Sequence, residues 1–401
     1  VNVLLLTQVL PYPPDSGPKI KTFNVLKYLA ARHQVSLVSF VRSAAEADGV
    51  PELLRFCREV HTVPLRRSAL RDGWHFARSL LTRQPFIIAR DENREMHAAI
   101  AALLARERFD VVHADQLNMA QYALPLRDVH KVLDAHNAVW TIFEQMWRNA
   151  QPGPRKWALG LEWRRLKRYE GQAGQRFDAI LAVSEEDRQA LIAAGCPASR
   201  FAVIPIAVDT RATPPVERDP QAQAILHVGT MYWPPNIEGV LWFARQVYPL
   251  IRRAAPQTEF YVVGARPPAE IVALEREDPA IHVIGYAADL EPYLRRSAVF
   301  VVPVQAGSGM RVKILTAWAW GIPIVSTTVG YAGIPALPGH HLLVADTPAD
   351  FAAAVVRVLQ DGDLAAGLSA NGRRYVEERF DWQVACRELD RVYAGVIEHE
   401  R

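Results

Sequence analysis

The sequence is short of several things, and each shortage closes off a class of protein. Three cysteines occur, Cys57, Cys196 and Cys386, far apart and odd in number. They give neither a disulfide framework nor a zinc spacing, so a reducing compartment is expected. No apolar run reaches the roughly 20 residues that a membrane-spanning helix needs. The opening VNVLLLTQVL is apolar but short and carries no basic leader, so it reads as a first strand and not as a signal peptide. The formal net charge is only +3 with histidine neutral, and no nucleic-acid-binding module accompanies it, so nucleic acid is not an expected partner. Repeats, low-complexity tracts and a carboxylate pair of glycosidase type are missing as well.

What is present is an alternation. NVLLL, QVSLVSF, VVHAD, KVLDAH, AILAVS and FAVIPI are short, β-branched runs of the kind buried parallel strands require. Stretches with helical spacing separate them, such as 19–33 and 90–108. Ser184 followed by Glu185, Glu186 and Asp187 reads as a capped helix start. At 207–223, AVDTRATPPVERDPQAQ breaks the rhythm with proline and polar residues and reads as a linker. The alternation then restarts with AILHVG, EFYVVG, IHVIG, VFVVP, PIVST and LLVA. A chain of 401 residues is too long for one ordinary core. The expected fold is therefore α/β with two Rossmann-like, doubly wound domains facing across a cleft. Residues 1–207 form the first, 208–380 the second, and 381–401 an amphipathic tail. Ligands belong beyond the carboxyl ends of such strands.

Several motifs fall at those ends. In GSGMRVKILTAWAWGIPIVST, a glycine loop feeds a helix expected to start near Met310 and to stop at Gly321. Glycines admit a ligand close to the backbone, and the amides of a helix start attract anions. Arg311 and Lys313 in the first turn oppose the helix dipole, a conflict that a bound diphosphate would remove. Two solvated basic residues beside a loop are the bland alternative. In PYPPDSGPKIKTFNVLKYL, Gly17 precedes Pro18 at a helix start; it is either a phosphate or sugar approach or plain turn chemistry, and Lys19 and Lys21 are read as solvated. In VLDAHNAVW, His136 follows a strand and is either a site residue or structural; His113 has the same placement with a weaker case. In LHVGTMYWPPNIEGVLWFA, Gly229 follows a strand, and Asn236 is either a ligand contact or a helix cap. His340 and His341 read as exposed loop, with no third metal ligand in spacing. Residues 155–176 hold Arg155, Lys156, Arg164, Arg165, Lys167, Arg168 and Arg176 with Trp157 and Trp163 interleaved. That is either a solvated helix face or a surface for an anionic membrane.

Together PYPPDSGPKIKTFNVLKYLA, VLDAHN, RFDAILAVSEEDRQAL, VGTMYWPPNIEGVLWFARQVYPLI and GSGMRVKILTAWAWGIPIVSTTVG resemble the family 4 glycosyltransferases of the GT-B fold, closest to bacterial exopolysaccharide-type sugar transferases. The resemblance implies a retaining transferase that works without metal or cofactor. It would move a sugar from a nucleoside-diphosphate donor to a glycan, lipid-linked or small-molecule hydroxyl acceptor. It also implies a last helix that crosses back to the first domain. A cytoplasmic location is expected from the cysteine usage, with peripheral contact at the inner face of the membrane if the basic segment takes the second of its two readings. Carried onto matching positions, Arg311 and Lys313 hold the diphosphate, with Ser308, Gly309 and Met310 in the same loop. Gly17 lies near the phosphates or the transferring sugar, His136 beside the sugar, and Gly285 and Tyr286 beside the base. The family commonly has Glu, seven residues, then Glu around this helix; here Ser308 and Thr316 stand in those places. Thr316 offers one uncharged hydroxyl to the ribose where a carboxylate is expected. Two other readings stay open. One is a sugar-nucleotide epimerase on the same plan, and the other is a non-catalytic sugar-nucleotide binder, which Thr316 keeps in play.

Overall fold

The structure is a computed structural model and describes residues 1–307 and 310–398. It divides into two compact units. One is Val1–Ile206 with the tail from Ala385, and the other is Ala207–Val384.

The first unit holds seven parallel strands: β1 (Asn2–Thr7), β2 (Gln34–Val41), β3 (Glu59–Pro64), β4 (Val111–Asp115), β5 (His130–Ala135), β6 (Ala179–Ala182) and β7 (Phe201–Val203). Their order is β3-β2-β1-β4-β5-β6-β7. The chain winds outward one way from β1 and then the other way from β4, so the switch point lies between those two strands. Val3, Leu4, Leu5 and Leu6 are consecutive and all buried, because helices cover both faces of a parallel sheet.

The second unit repeats the plan with six parallel strands: β8 (Ala224–Val228), β9 (Phe260–Val263), β10 (Ile281–Gly285), β11 (Ser297–Val302), β12 (Ile324–Ser326) and β13 (Leu343–Val344). The order β10-β9-β8-β11-β12-β13 puts its switch point between β8 and β11. The segment read as a linker is strapped onto this unit. Val216 N–H donates to the Trp320 carbonyl at 2.9 Å, and Val208 N–H to the Phe380 carbonyl at 2.9 Å. Asp381 stays here too, accepting the Thr210 hydroxyl at 2.5 Å.

The helix after the glycine loop is Val312–Ala319, starting two residues later than the sequence suggested. Arg311 caps it in an extended conformation and so stays outside it. Gly321, at φ 72°, ends the turn as expected. Ile314, Leu315, Ala317, Trp318 and Ala319 bury one side of this helix. Trp318 donates its indole N–H to the His341 carbonyl at 2.9 Å and lies over Gly372, where a Cβ would come within 2.1 Å of the ring. Truncating such an anchor costs about 3–5 kcal/mol, so the helix start is held rigidly in place. His341 is buried against the Tyr375 ring at 4.1 Å, contrary to its reading as exposed loop; the stacking supplies the burial.

Candidate active site

Two polar groups gather at the two switch points. In the second unit, β8 delivers His227, fully buried, next to Gly229. The His227 Nδ1–H donates to the Val301 carbonyl of β11 at 2.9 Å, which leaves Nε2 as an acceptor. Burial, and then the Lys313 charge, push this imidazole well below its ordinary range, so it stays neutral. The Lys313 ammonium lies 3.3 Å from that Nε2 and donates to Asn236 Oδ1 at 3.0 Å. Those acceptors use two of its three donors, and among the described residues nothing takes the third. Burial, then the Arg311 guanidinium, lower the Lys313 pKa to about 7. Gly229 makes the arrangement fit: a Cβ there would stand 2.5 Å from Nζ and 3.0 Å from Asn236 Nδ2.

Asn236 is the third residue of helix Pro234–Trp242, which starts after Trp233 without a side-chain cap. The capping reading therefore gives way. Asn236 is buried and donates Nδ2–H to the Thr230 carbonyl at 2.9 Å, clamping the loop while its oxygen faces Lys313. Arg311 is half-buried, and burial lowers its pKa. A Cβ on Gly307 would meet its Nη2 at 2.9 Å. Met310 packs against the core beneath the helix. Thr316 donates its hydroxyl to the Val312 carbonyl at 3.2 Å, one turn back, leaving only lone pairs for a ligand. Ser308 and Gly309 lie outside the described residues. Gly285, at φ 70°, closes β10, and Tyr286 behind it is 77% exposed. Both sit two strands from His227 and do not join the lysine group.

In the first unit, the parallel register sets Asp115 of β4 opposite Asp134 of β5. His136 follows β5 and donates Nε2–H to Asp115 Oδ1 at 2.9 Å. The Thr22 hydroxyl donates to the same oxygen at 2.9 Å. Lys21 is 2% exposed and pairs with Asp134, so its reading as solvated is wrong: the first helix turns it inward beneath the strand ends. Burial alone would raise the Asp134 pKa, but Lys21 and His113 overcome that and hold it below the carboxylate range. His113 Nδ1 lies 2.9 Å from the Tyr393 hydroxyl, so the tail helix Arg387–Glu398 finishes this group. Gly17 opens helix Gly17–Ala30, the helix that carries Lys21 and Thr22. One ligand atom each from Asp115, Asp134 and His136 falls within 4.8 Å of the others. Lys21 pairs with Asp134 and the Thr22 hydroxyl donates to Asp115, while among the described residues the second oxygen of each carboxylate has no hydrogen-bond partner.

The basic segment forms helix Pro154–Gly174. Much of its charge turns onto its own unit. Lys167 stands 4.4 Å over the Trp140 ring, Arg164 4.8 Å over Trp163, and Arg165 donates to the Ser79 carbonyl at 3.0 Å. Its Glu170 accepts the Val139 and Trp140 N–H groups at 2.8 and 3.0 Å, capping the neighbouring helix. Burial, against those two bonds, raises the Glu170 pKa to about 8. Ser184 caps the helix at Glu185 as expected, accepting Asp187 N–H at 3.1 Å. Among the described residues, no helix is long and apolar enough to cross a membrane.

Sequence reasoning missed His227 and Asp115. Both end apolar strands, in ILHVG and VVHAD, and polarity at a strand's carboxyl end was the signal available.

Two doubly wound parallel sheets, each with a polar group at its switch point, are the GT-B architecture. The family profile described as Glycosyltransferase Family 4 matches residues 20–212, and that of glycosyl transferases group 1 matches residues 222–361. The chain belongs to this family of group 1, family 4 glycosyltransferases. It is 20% identical over 391 residues to an uncharacterized 44.6 kDa protein in the cps region of Klebsiella pneumoniae, spanning 95% of this chain and 96% of that protein. Among solved structures it is similar to HepE of Anabaena in complex with UDP, at 13% identity and TM-score 0.71 over 98% of this chain and 100% of that one. The sucrose-phosphate synthase of Thermosynechococcus elongatus gives 17% identity and TM-score 0.71 over the whole of both chains. These likenesses show the fold.

Proposed function

We propose that the protein is a retaining, metal-independent transferase that moves a sugar from a nucleoside-diphosphate donor to a hydroxyl acceptor in glycan assembly. The observation that carries this reading is the Lys313 ammonium, held by His227 and Asn236 over the gap at Gly229, with a third donor that nothing among the described residues takes. Such a cationic helix start suits a diphosphate. In the reaction the bond from the anomeric carbon to the diphosphate oxygen breaks, and its electron pair stays on that oxygen. Arg311 and Lys313 stabilise the growing charge in advance, without reorganising. The acceptor oxygen bonds to the anomeric carbon from the face the diphosphate leaves, and its proton passes to the departing phosphate. His136, oriented by Asp115, supplies a hydrogen bond to the sugar as that carbon becomes positive. The Lys21–Asp134 pair supports the metal-independent reading, because it sets an ammonium on one of the two carboxylates of the three-residue group.

HepE, a structural neighbour, has been solved with UDP and with UDP-glucose, which makes a uridine nucleotide the first donor to test. The relative in a cps region agrees with the exopolysaccharide-type resemblance of the sequence. A thermal-shift screen of UDP-, GDP-, ADP- and dTDP-sugars identifies the donor, since a ligand selective for the native state raises its melting temperature. With that donor, Arg311→Ala and Lys313→Ala should each cut turnover by roughly ten- to hundredfold, the value of a charged hydrogen bond. Near wild-type transfer by both variants removes the assignment. The Thr316 hydroxyl, spent on Val312, favours a second reading as a sugar-nucleotide binder without turnover. Donor hydrolysis by wild type and by Thr316→Glu separates the two: turnover only in the variant supports the binder.

A further inference from the structure

Helix Ala69–Thr82 is packed inside out. Ser68 caps it by accepting the Arg71 N–H at 3.3 Å. The side chains it buries are His75 and Ser79. Its large apolar side chains face solvent: Leu70 is 88% exposed, Trp74 60% and Leu81 86%. These three recur at helical spacing and form one stripe, with Ala77 between Trp74 and Leu81. Phe76 and Leu80, about two-fifths exposed, flank it. An ordinary surface helix presents the opposite face to water, so a stripe this exposed marks an interaction surface.

The charge around the stripe selects the occupant. From Leu65 to Arg83 there are five arginines, Arg66, Arg67, Arg71, Arg78 and Arg83, against the single acid Asp72. Arg67 is spent on Asp91 at 2.6 Å and Arg78 on Glu92. Among the described residues, Arg66, Arg71 and Arg83 have no carboxylate within 4 Å, and all three are exposed. A cavity of about 640 Å³ opens beside the helix, its charged lining being Arg66, Arg71, Arg78 and Arg94 against Glu92 and Glu95. Arg71 donates to the Arg66 carbonyl at 3.1 Å, which leaves its charge unneutralised. A leucine and tryptophan face bordered by arginines without carboxylate partners complements an anionic lipid surface, with apolar side chains at acyl depth and guanidinium groups at phosphate depth. Helix Pro154–Gly174, where the sequence suggested such contact, is the weaker candidate because among its described residues Trp157 alone is an exposed large apolar side chain.

We propose that helix Ala69–Thr82 docks on an anionic bilayer, laying Leu70, Trp74 and Leu81 into the headgroup boundary and Arg66, Arg71 and Arg83 against lipid phosphates. The inference does not depend on the donor assignment. The test is sedimentation of the full chain with vesicles of phosphatidylcholine alone or mixed with phosphatidylglycerol. The wild type should bind the mixed vesicles and release them in high salt. Arg66→Gln, Arg71→Gln and Arg83→Gln combined should lower the partition coefficient roughly hundredfold, at about fivefold per charge. Leu70→Glu with Leu81→Glu should abolish binding while leaving the melting temperature unchanged, since both side chains are already in water. Arg155→Gln with Arg168→Gln, on the other helix, should bind as the wild type does. Three outcomes overturn the proposal. They are failure of the wild type to bind mixed vesicles, undiminished binding by the double glutamate variant, and a switch from dimer to monomer in that variant, which would make a second copy the occupant.

Discussion

Lys313 sets up a pH dependence of donor binding whose sign and size follow from its surroundings. In the ligand-free protein, burial and then the Arg311 charge bring its pKa from 10.5 to about 7. A diphosphate against the ammonium favours the charged form, so the pKa climbs again on binding. Binding therefore takes up a proton wherever the free protein has lost one. Well below pH 7 both states are protonated and affinity is flat; above it, each pH unit weakens binding roughly tenfold until the bound-state pKa is reached. Between about pH 6 and about pH 8.5 the change is roughly 30-fold, or about 2 kcal/mol. A nucleotide-sugar is the ligand to use, because its diphosphate is esterified at both ends and has no proton to lose in this window. Calorimetry in two buffers of different ionisation enthalpy reads the affinity and the proton uptake together. Uptake should approach one proton per site at the alkaline end and vanish at the acid end. Lys313→Met should bind weakly at every pH and take up nothing. A wild-type affinity that is flat across the window, with equal heats in both buffers, refutes the assignment of this ammonium to the diphosphate. Folding shows the same depression with its own sign. Between about pH 7 and the unfolded value of 10.5 the unfolded chain holds the extra proton, so the ligand-free protein gains stability as pH rises through that range.

Further outcomes follow from the same geometry. Gly229→Ala puts a methyl 2.5 Å from the Lys313 ammonium, the movable end of a long side chain, so the fold should survive while donor affinity falls roughly tenfold or more by calorimetry. Asp115→Ala removes the acceptor that orients His136; turnover should drop roughly ten- to hundredfold while donor affinity holds, and equal losses in both would reassign Asp115 to donor binding. Gly171→Ala drives a Cβ to 1.9 Å from the Ala194 carbonyl oxygen, a backbone atom that cannot swing away. That should cost about 1–3 kcal/mol, seen as a melting temperature roughly 3–10 °C lower.

The parallel sheets were legible because their strands are buried on both faces and read as short apolar runs between helical stretches. Val3–Leu6 and Phe300–Val302 need no tertiary information to be recognised. Lys313 was legible because a cation in a first turn conflicts with the helix dipole, whereas Arg311 stands just outside that turn. Lys21 was not legible: a lysine near a helix start looks solvated until β4 and β5 bring Asp134 beneath it. His227 was hidden for a similar reason, since its role depends on a carbonyl of β11 and an ammonium 86 residues away. Asn236 sits near a helix start, where capping was the local expectation, and only Lys313 gives its oxygen another use. The apolar face of helix Ala69–Thr82 has the periodicity of a core helix, and its direction became evident only once His75 and Ser79 were seen to face inward.

The route of the chain through the first unit has a consequence for biosynthesis. That unit is interrupted after Ile206 and resumes at Ala385, so the second unit is an insertion within it. The hydroxyl that meets His113, and the Asp390 carboxylate that accepts from Tyr28 at 2.7 Å, are translated only after the whole of the second unit. A nascent chain leaving the ribosome therefore presents β4 with its histidine uncovered until helix Arg387–Glu398 emerges. Competence in the first unit thus waits on synthesis of the second, and a fragment stopping at Ile206 should melt well below the full chain.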